Sequence, residues 1–223
     1  MECHIPFPPG SPNNAGTFDF PVLYAKVGGA TMDALIYDPQ YDVLRDQFID
    51  AGKHLVEQGV KGIFGGCGFM ILFQRELSEA LSVPVFSSSL MQLPMISHTL
   101  GPEQAIGIIT ASGTSLSEAH MLAALNGVDV PYVIGGLEDG EAFKAAIHDQ
   151  CGILDSDAIQ HEVVGKALEL QQSNANIGAI LLECTDLPPY AAAVHEATGL
   201  PIFDVNTLIH WGYSAIQPRV YAH

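Results

Sequence analysis

Two cysteines, Cys67 and Cys184, stand at positions where a thiol could do chemistry. Cys67 follows the run Gly-Ile-Phe-Gly-Gly and Cys184 follows Ala-Ile-Leu-Leu-Glu, so each lies where an apolar, strand-like segment gives way to a helical pattern. In a parallel α/β sheet, ligands bind beyond the carboxyl ends of the strands, and a helix N-terminus there lowers the pKa of a thiol. Taken singly, such a cysteine is more commonly a small buried apolar residue, so it is the matched pair that indicates chemistry.

A pair of acid/base groups on opposite faces of one carbon is what stereoinversion requires. One cysteine, as thiolate, would remove the proton from the stereocentre, and the other, as thiol, would return a proton to the opposite face. The carbanion between them needs N–H donors that are already in place. The candidate donors are the backbone amides that follow each cysteine and those of a turn at 110–114: Gly68, Phe69, Thr185 and Asp186, with Thr110 and Thr114 bounding the turn.

The two cysteines occupy equivalent places in an internal repeat. At an offset of 117 positions, the separation of the two cysteines, residues 60–90 align with residues 177–207 without a gap and with six identities in 31 positions. Each copy reads as strand, cysteine turn, helix and short proline-containing strand. The sequence therefore predicts two similar α/β lobes related by a pseudo-twofold axis, with both thiols facing one cleft.

Short apolar runs alternate with helical patterns along the chain, which is typical of a parallel sheet with helices on its faces. We predict strands at 22–27, 62–66, 83–86, 105–110, 130–134, 179–182 and 200–203, and helices at 42–57, 71–81, 115–124, 141–148, 157–173 and 190–197. A Gly-Pro step at 101–102 marks the boundary between the lobes. The first lobe then covers 1–101, with 207–223 packing back on it, and the second lobe covers 102–206.

Composition narrows the class of protein. Of 223 residues, 48% are apolar and 15% are charged, which is enough apolar material for a folded core. Eight lysines and arginines against 25 aspartates and glutamates give a net charge of −17, which argues against nucleic-acid and anionic-membrane partners. Residues 1–21 lack the pattern of a secretion signal, and no apolar stretch is long enough to cross a membrane. We expect a soluble cytoplasmic protein with a small-molecule substrate.

The sequence shows no spacing pattern typical of a metal site or of a cofactor site. The four cysteines, Cys3, Cys67, Cys151 and Cys184, form no C-x-x-C pair, and no histidine lies at zinc-ligand spacing. The Gly-Gly steps lack the G-x-G-x-x-G pattern of dinucleotide sites. We therefore expect no metal and no cofactor, and we interpret Cys3, Cys151 and the nine histidines as structural or incidental residues.

Three segments carry a family resemblance. They are Leu-Leu-Glu-Cys-Thr-Asp-Leu-Pro at 181–188, Gly-Ile-Phe-Gly-Gly-Cys-Gly-Phe at 62–69 and Ile-Gly-Ile-Ile-Thr-Ala-Ser-Gly-Thr at 106–114. They resemble the two cysteine motifs and the strand-to-turn element of the aspartate/glutamate racemase superfamily, which includes hydantoin and allantoin racemases, maleate isomerases and arylmalonate decarboxylases. The resemblance covers about 21–212. It implies two flavodoxin-like lobes with a cofactor-free site between them, a homodimer, and a substrate carboxylate near Thr110, Ser112 and Thr114.

Within that superfamily, two cysteines favour racemisation or epimerisation, because the decarboxylases that this chain resembles keep only the second. Three departures argue against glutamate as the substrate: Gly68-Phe69 stands in place of Asn-Thr, Asp186 in place of His, and the run Lys-Val-Gly-Gly at 26–29 in place of an Asp-Ser turn. Phe69 favours a less polar or ring-shaped substrate, such as a hydantoin.

We therefore predict a cofactor-independent racemase or epimerase that inverts a stereocentre next to a carbonyl, with Cys67 and Cys184 as the catalytic residues. Two alternatives stay open. One is a decarboxylase or cis–trans isomerase of the same superfamily that uses Cys184, and the other is a non-catalytic protein that binds a small acid. Glu183 also has two open roles, tuning the Cys184 thiol or hydrogen-bonding within the structure.

Overall fold

The fold is a mixed α/β arrangement in which parallel strands are flanked by helices, as the sequence predicts. A computed structural model describes residues 4–37 and 41–221, so Cys3 lies outside the described residues. The strands are β1 (Ile63–Phe64), β2 (Val85–Phe86), β3 (Ala105–Thr110), β4 (Tyr132–Gly136), β5 (Ile177–Leu182) and β6 (Ile202–Phe203). The α-helices are α1 (Tyr41–Glu57), α2 (Gln74–Ala80), α3 (Leu93–Ser97), α4 (Glu118–Leu125), α5 (Glu141–Phe143), α6 (Ser156–Ser173), α7 (Ala191–Thr198) and α8 (Val205–Ile216).

The larger sheet holds four parallel strands in the order β4-β3-β5-β6. Its central strands read Ala-Ile-Gly-Ile-Ile-Thr and Ile-Gly-Ala-Ile-Leu-Leu and are buried along nearly their whole length. Such continuous apolar runs are typical of parallel strands that are covered on both faces. Helix α6 packs on β3, β4 and β5, and α3 packs on β3. Strand β3 lies at the predicted residues 105–110. Its apolar residues form a continuous run without the 3.6-residue spacing of a helix, so the sequence predicts a strand there unambiguously.

The smaller sheet contains β1 and β2, and helix α8 covers it. Gly212 of α8 lies against the rings of Phe64 and Phe86, where a Cβ would come within 2.8 Å of Phe64. The predicted strand at 22–27 is wrong, since this segment is irregular and leaves Leu23 and Tyr24 about half exposed, at 51% and 50%. Its apolar residues resemble a strand, but a strand is stable only where a neighbouring strand and a buried face receive it.

The internal repeat is visible in the strand register. Ile63 of β1 lies opposite Val85 of β2, and Ile180 of β5 lies opposite Ile202 of β6, so the two pairs differ by the same 117 positions that separate the cysteines. Helices α2 and α7 begin at equivalent positions, and each follows a 3₁₀ turn, Gly68–Phe73 in the first copy and Pro188–Tyr190 in the second. The two copies therefore share the geometry that leads from strand through cysteine to helix.

Two predicted helices are interrupted. The helix predicted at 71–81 is a 3₁₀ turn followed by α2, and the helix predicted at 141–148 is α5 followed by a π-helical segment, Lys144–His148. A second π-helical segment, Asp33–Tyr37, precedes α1. Within the described residues, none of the helices has both the length and the apolar character that crossing a membrane requires. The division into lobes at 101–102 stays a prediction.

The first cysteine loop depends on a close backbone approach. Gly65 donates its N–H to Phe86 O at 2.8 Å, and a Cβ on Gly65 would lie 1.9 Å from Ser87 O. We expect Gly65→Ala to lower the free energy of unfolding by about 3 kcal/mol or more, because backbone would have to move. Gly66→Ala is the matched control, since its Cβ would meet nothing within 4 Å. Urea unfolding followed by circular dichroism measures both variants, and equal stabilities would contradict the close approach.

Candidate active site

Cys67 and Cys184 each follow a strand and open a turn. Cys67 comes shortly after β1 and Cys184 shortly after β5, and each cysteine carbonyl accepts a hydrogen bond from the N–H three residues on. Those bonds, from Met70 and from Leu187, both measure 3.1 Å. The turns aim the N-terminal ends of the following helical segments at the two thiols, in the same way in both copies.

The two cysteines line one cleft of about 290 Å³. Both side chains are buried, and both thiols are free rather than joined in a disulfide. The other lining residues are Met32, Ile36, Gly68, Phe69, Ala111, Ile147, Glu183, Thr185 and Asp186.

Burial raises the pKa of both thiols. Desolvation and then the charge of Glu183 raise the pKa of Cys67 to about 12, while the backbone N–H of Phe69 lowers it. Desolvation, Asp186 and then Glu183 raise the pKa of Cys184 well above its ordinary value, while the backbone N–H of Asp186 lowers it. The turns thus act in the direction expected from the sequence, but removal from water outweighs them. Both cysteines are therefore neutral thiols at pH 7.

Asp186 is placed to take a proton from Cys184. The Cys184 thiol donates to Asp186 Oδ2 with the sulfur and oxygen 3.8 Å apart. Burial raises the pKa of Asp186 to about 6, and the bond from Cys184 lowers it. The carboxyl is therefore mostly ionised at pH 7 and can accept the thiol proton. The sequence predicts a role for Asp186 only through its backbone N–H, so this contact of its carboxyl group is not predicted from the sequence.

Glu183 lies beneath the first cysteine loop. It is 1% exposed, and its Oε2 accepts a hydrogen bond from Thr110 Oγ1 at 2.7 Å. Oε1 has no hydrogen-bond partner among the described residues, and a Cβ on Gly68 would lie 1.9 Å from it. Burial raises the pKa of Glu183 to about 7, against the effect of Thr110. Glycine at 68 is therefore required by the carboxyl, which explains why the Asn of glutamate racemases is absent there.

The turn at 110–114 binds groups of the protein itself. The N–H groups of Gly113 and Thr114 donate to the Glu138 carboxylate at 3.1 and 3.3 Å. The hydroxyl of Ser112 donates to a neighbouring serine at 2.9 Å. The residues that the resemblance places near a substrate carboxylate are therefore beside the cleft and not among the residues that line it: Thr110, Ser112 and Thr114.

Two other residues of the predicted site, Thr185 and Phe69, brace the cleft. The Thr185 hydroxyl donates to Gly66 O at 3.1 Å and so ties the second cysteine loop to the first. Phe69 is buried and packs edge-on against the ring of His120, with the centroids 4.8 Å apart. Because burial lowers the pKa of His120 to about 4, this wall is uncharged at neutral pH.

The apolar residues that close the cleft are not predicted from the sequence. Two of them, Ile36 and Ile147, belong to the two π-helical segments, whose last residues, Tyr37 and His148, hydrogen-bond to each other. π-Helical turns occur frequently at functional sites. No periodic pattern marks these residues in the sequence, because they meet only through the tertiary fold. The contact of Glu138 with the turn at 110–114 is not predicted from the sequence for the same reason.

The fold is that of the aspartate/glutamate racemase superfamily. The chain matches a variant of arylmalonate decarboxylase in a sulfate-associated form with a TM-score of 0.63 and 16% identity, covering 94% of this chain and 90% of that one. An aspartate racemase from Picrophilus torridus gives a TM-score of 0.60 and 14% identity, with 85% and 76% covered. A glutamate racemase from Bacillus anthracis gives 0.53 and 17%, with 81% and 66% covered. The predicted resemblance is confirmed at the level of fold.

Sequence comparison indicates a different activity. No family model matches the chain. The chain is 37% identical over 211 residues to dimethylsulfoniopropionate lyase 6 of Emiliania huxleyi (strain CCMP1516), covering 90% of this chain and 55% of the relative, so it spans about half the length of that relative. It is 36% identical over 209 residues to the dimethylsulfoniopropionate lyase of Durusdinium sp. clade D, covering 92% of this chain and 69% of the relative.

These relatives overturn the predicted reaction. The prediction of an isomerase, a racemase or epimerase, is wrong, since curated relatives at 36–37% identity are named lyases. The alternative stated beside it, a decarboxylase or cis–trans isomerase of the same superfamily that uses Cys184, is better supported, since a decarboxylase is itself a lyase. The prediction fails because two thiols in one cleft indicate only that a proton can be removed. Proton removal is the first step of several reactions, so the cysteine pair does not distinguish a racemase from a lyase.

The protonation of the two buried thiols can be read from their alkylation. We expect iodoacetamide at pH 7 to label the exposed Cys151 first, because burial keeps Cys67 and Cys184 as thiols. Labelling of the two buried cysteines should accelerate only as the pH is raised beyond 9. Peptide mass spectrometry measures each site in the native protein. Faster labelling of either buried cysteine than of Cys151 at pH 7 would show a thiolate and contradict the effect of burial.

Proposed function

Since the chain belongs to the family of the dimethylsulfoniopropionate lyases, we propose that it cleaves dimethylsulfoniopropionate into dimethyl sulfide and acrylate. That substrate is a zwitterion with a carboxylate at one end and a dimethylsulfonium group at the other. The observation that carries the proposal is a thiol–carboxylate pair, Cys184 and Asp186, that faces a second thiol, Cys67, across one small cleft.

The proposed reaction is an elimination. A base takes a proton from the carbon next to the carboxylate, and the electrons of that C–H bond form the carbon–carbon double bond. The electrons of the carbon–sulfur bond leave with sulfur, so the products are acrylate, neutral dimethyl sulfide and one proton. The leaving group needs no proton, so one base suffices where racemisation needs an acid/base pair.

Cys184 acts as that base. Its thiol passes a proton to Asp186 Oδ2, and the thiolate takes the proton of the substrate. Asp186 then releases its proton to water, which restores the pair for the next turnover. Burial disfavours the thiolate in the empty cleft, but the positive sulfonium of a bound substrate stabilises it. Cys67 stays a neutral thiol on the opposite wall.

Other features support a small zwitterionic substrate. Two carboxyl groups, those of Glu183 and Asp186, line the cleft, and a net charge of −17 argues against nucleic acid or an anionic membrane as a partner. A cytoplasmic location, which the sequence favours, and a homodimer, which the superfamily resemblance favours, belong to the same proposal. Gly68 and Thr185 are part of it too, as sources of N–H groups for the substrate carboxylate.

Substitution of single cysteines tests the assignment. We expect Cys184→Ala to lower kcat/KM for dimethyl sulfide release by about 10²- to 10⁴-fold, the usual contribution of a positioned base. Cys67→Ala should cost less, because Cys67 transfers no proton in the elimination. The exposed Cys151→Ala is the control and should keep full activity. Gas chromatography of the headspace measures dimethyl sulfide, and full activity without Cys184 would refute the mechanism.

The pH dependence tests Asp186 separately. Only ionised Asp186 accepts the thiol proton, so kcat/KM should fall as the pH is lowered through about 6, the raised pKa of this carboxyl. Asp186→Asn should remove this limb together with most of the activity. Asp155→Asn is the matched control, because Asp155 caps helix α6 by accepting from Ala158 N at 3.0 Å. An unchanged acid limb in Asp186→Asn would assign it to another group.

A further inference from the structure

The cleft is acidic. Among the described residues that line it, Glu183 and Asp186 carry carboxyl groups and none is a lysine or an arginine. Most of the other lining side chains are apolar, and they include Met32, Ile36 and Phe69. Two buried carboxyl groups without a basic residue between them repel an anion and attract a cation, and the low polarity of the walls strengthens both effects.

The two carboxyl groups differ in what already satisfies them. Asp186 accepts a hydrogen bond from the Cys184 thiol. Glu183 uses Oε2 for Thr110, while Oε1 is buried and without a hydrogen-bond partner among the described residues. A buried carboxylate oxygen left in this way costs free energy unless the carboxyl takes up a proton or a positive charge comes close to it. A positively charged ligand in the cleft can therefore stabilise the ionised form of Glu183.

We propose that Glu183 binds the onium group of the substrate, the permanent positive charge on its sulfur. The inference rests on the proposed function, because that function supplies a substrate with a cation beside the reacting carbon. It divides the two carboxyl groups between two tasks. Asp186 serves the Cys184 thiol, and Glu183 serves the substrate.

The position of Glu183 beneath Gly68 suits an onium ion. Gly68 covers Oε1 so closely that a Cβ there would lie 1.9 Å away, and almost none of the oxygen is accessible from the cleft. A protonated amine or a guanidinium group binds a carboxylate oxygen through a direct N–H bond, and Gly68 blocks that bond. A sulfonium has no N–H or O–H to donate. It is held by charge across the thin glycine layer and by apolar contact with walls such as Phe69.

Thr110 fixes the carboxyl in this position. Its hydroxyl lies at the end of β3 and donates to Oε2 at 2.7 Å, so the other oxygen faces Gly68. Glu183 follows β5, and its N–H donates to Ile109 O at 2.8 Å. The charge is therefore held by two neighbouring strands of the larger sheet, and it does not depend on a mobile surface loop.

Two ligands of equal shape isolate the charge. The probes are 3-(trimethylammonio)propanoate and 4,4-dimethylpentanoate, which share a carboxylate and a group of three methyls on a central atom, and differ in whether that atom is charged. Isothermal calorimetry on the full chain measures both dissociation constants. We expect the wild-type protein to bind the ammonium compound about tenfold or more tightly than the neutral one.

Substitution then locates the preference. Glu183→Gln keeps the shape of the side chain and removes its charge, so the preference for the ammonium compound should disappear. Glu162→Gln is the matched control, because Glu162 binds the backbone N–H groups of Ala142 and Phe143, both at 2.8 Å, and does not line the cleft. Loss in Glu183→Gln with retention in Glu162→Gln supports the proposal. An undiminished preference in Glu183→Gln, or none in the wild type, overturns it.

A second measurement needs no variant, so a misfolded Glu183→Gln leaves the proposal testable. The titratable groups that face Glu183 are Cys67, Cys184 and Asp186, and burial raises the pKa of each. A cation near Glu183 favours its ionised form, so the ammonium compound should release protons when it binds at pH 7, and the neutral compound should not. Calorimetry in buffers of different ionisation enthalpy counts those protons, and equal counts for the two compounds would overturn the proposal.

Failure of the reaction and failure of the cation site are distinguishable. Dimethyl sulfide release tests the reaction, whereas the two probes test binding without any turnover. A charge preference that depends on Glu183, in a protein that releases no dimethyl sulfide, supports the cation site and refutes the reaction. Dimethyl sulfide release without a charge preference refutes the cation site alone.

Discussion

The contact between Gly68 and the buried carboxyl of Glu183 sets the distance at which the two cysteine loops meet. Any side chain at position 68 would collide with Oε1, and the Thr185 hydroxyl adds a second tie by donating to Gly66 O at 3.1 Å. The first loop therefore rests directly on the second. Because each loop begins with its cysteine, the same contact brings both thiols to one cleft and places a buried carboxyl group beneath them.

Burial and the neighbouring carboxyl groups together determine the protonation of the two thiols. A thiolate beside Glu183 and Asp186 would add a further negative charge in surroundings poor in water, so both thiols stay neutral. The backbone N–H groups of Phe69 and Asp186 favour the thiolates but are too weak to offset desolvation. A site of this kind becomes basic only when a positive charge enters it. A substrate with a fixed cation thus activates the base that attacks it, and a substrate without one leaves the thiols protonated.

The sequence predicts the framework well and the charges badly. The repeat at an offset of 117 predicts the equivalent strand pairs, because packing on a parallel sheet constrains apolar residues in both copies alike. The strand predicted at 22–27 fails, because local apolar character does not show whether a neighbouring strand is present. The direction of the thiol pKa shift is also missed, since it depends first on burial of the two thiols and then on the neighbouring carboxyl groups of Glu183 and Asp186, and both follow from the tertiary fold. Contacts between residues that are distant in the chain, such as Gly68 and Glu183, leave no local pattern in the sequence and therefore cannot be predicted from it.

The elimination proposed for this chain and a racemisation on the same fold share one first step, the removal of a proton next to a carboxylate. The fate of the carbanion depends on the substrate, since a carbanion with a leaving group on the next carbon eliminates it before a second acid can act. The turn at 110–114 separates the two cases further. Its Gly113 and Thr114 N–H groups are taken by Glu138, so they are not available to a substrate anion. An amino acid with two carboxylates would then meet an acidic cleft with one of its expected anion sites filled. A zwitterion with a single carboxylate needs only the amides that open the cysteine turns, and it leaves its cation free to face the carboxyl groups. The same distribution of charge that disfavours acidic amino acids therefore matches the sulfonium substrate of the proposed reaction.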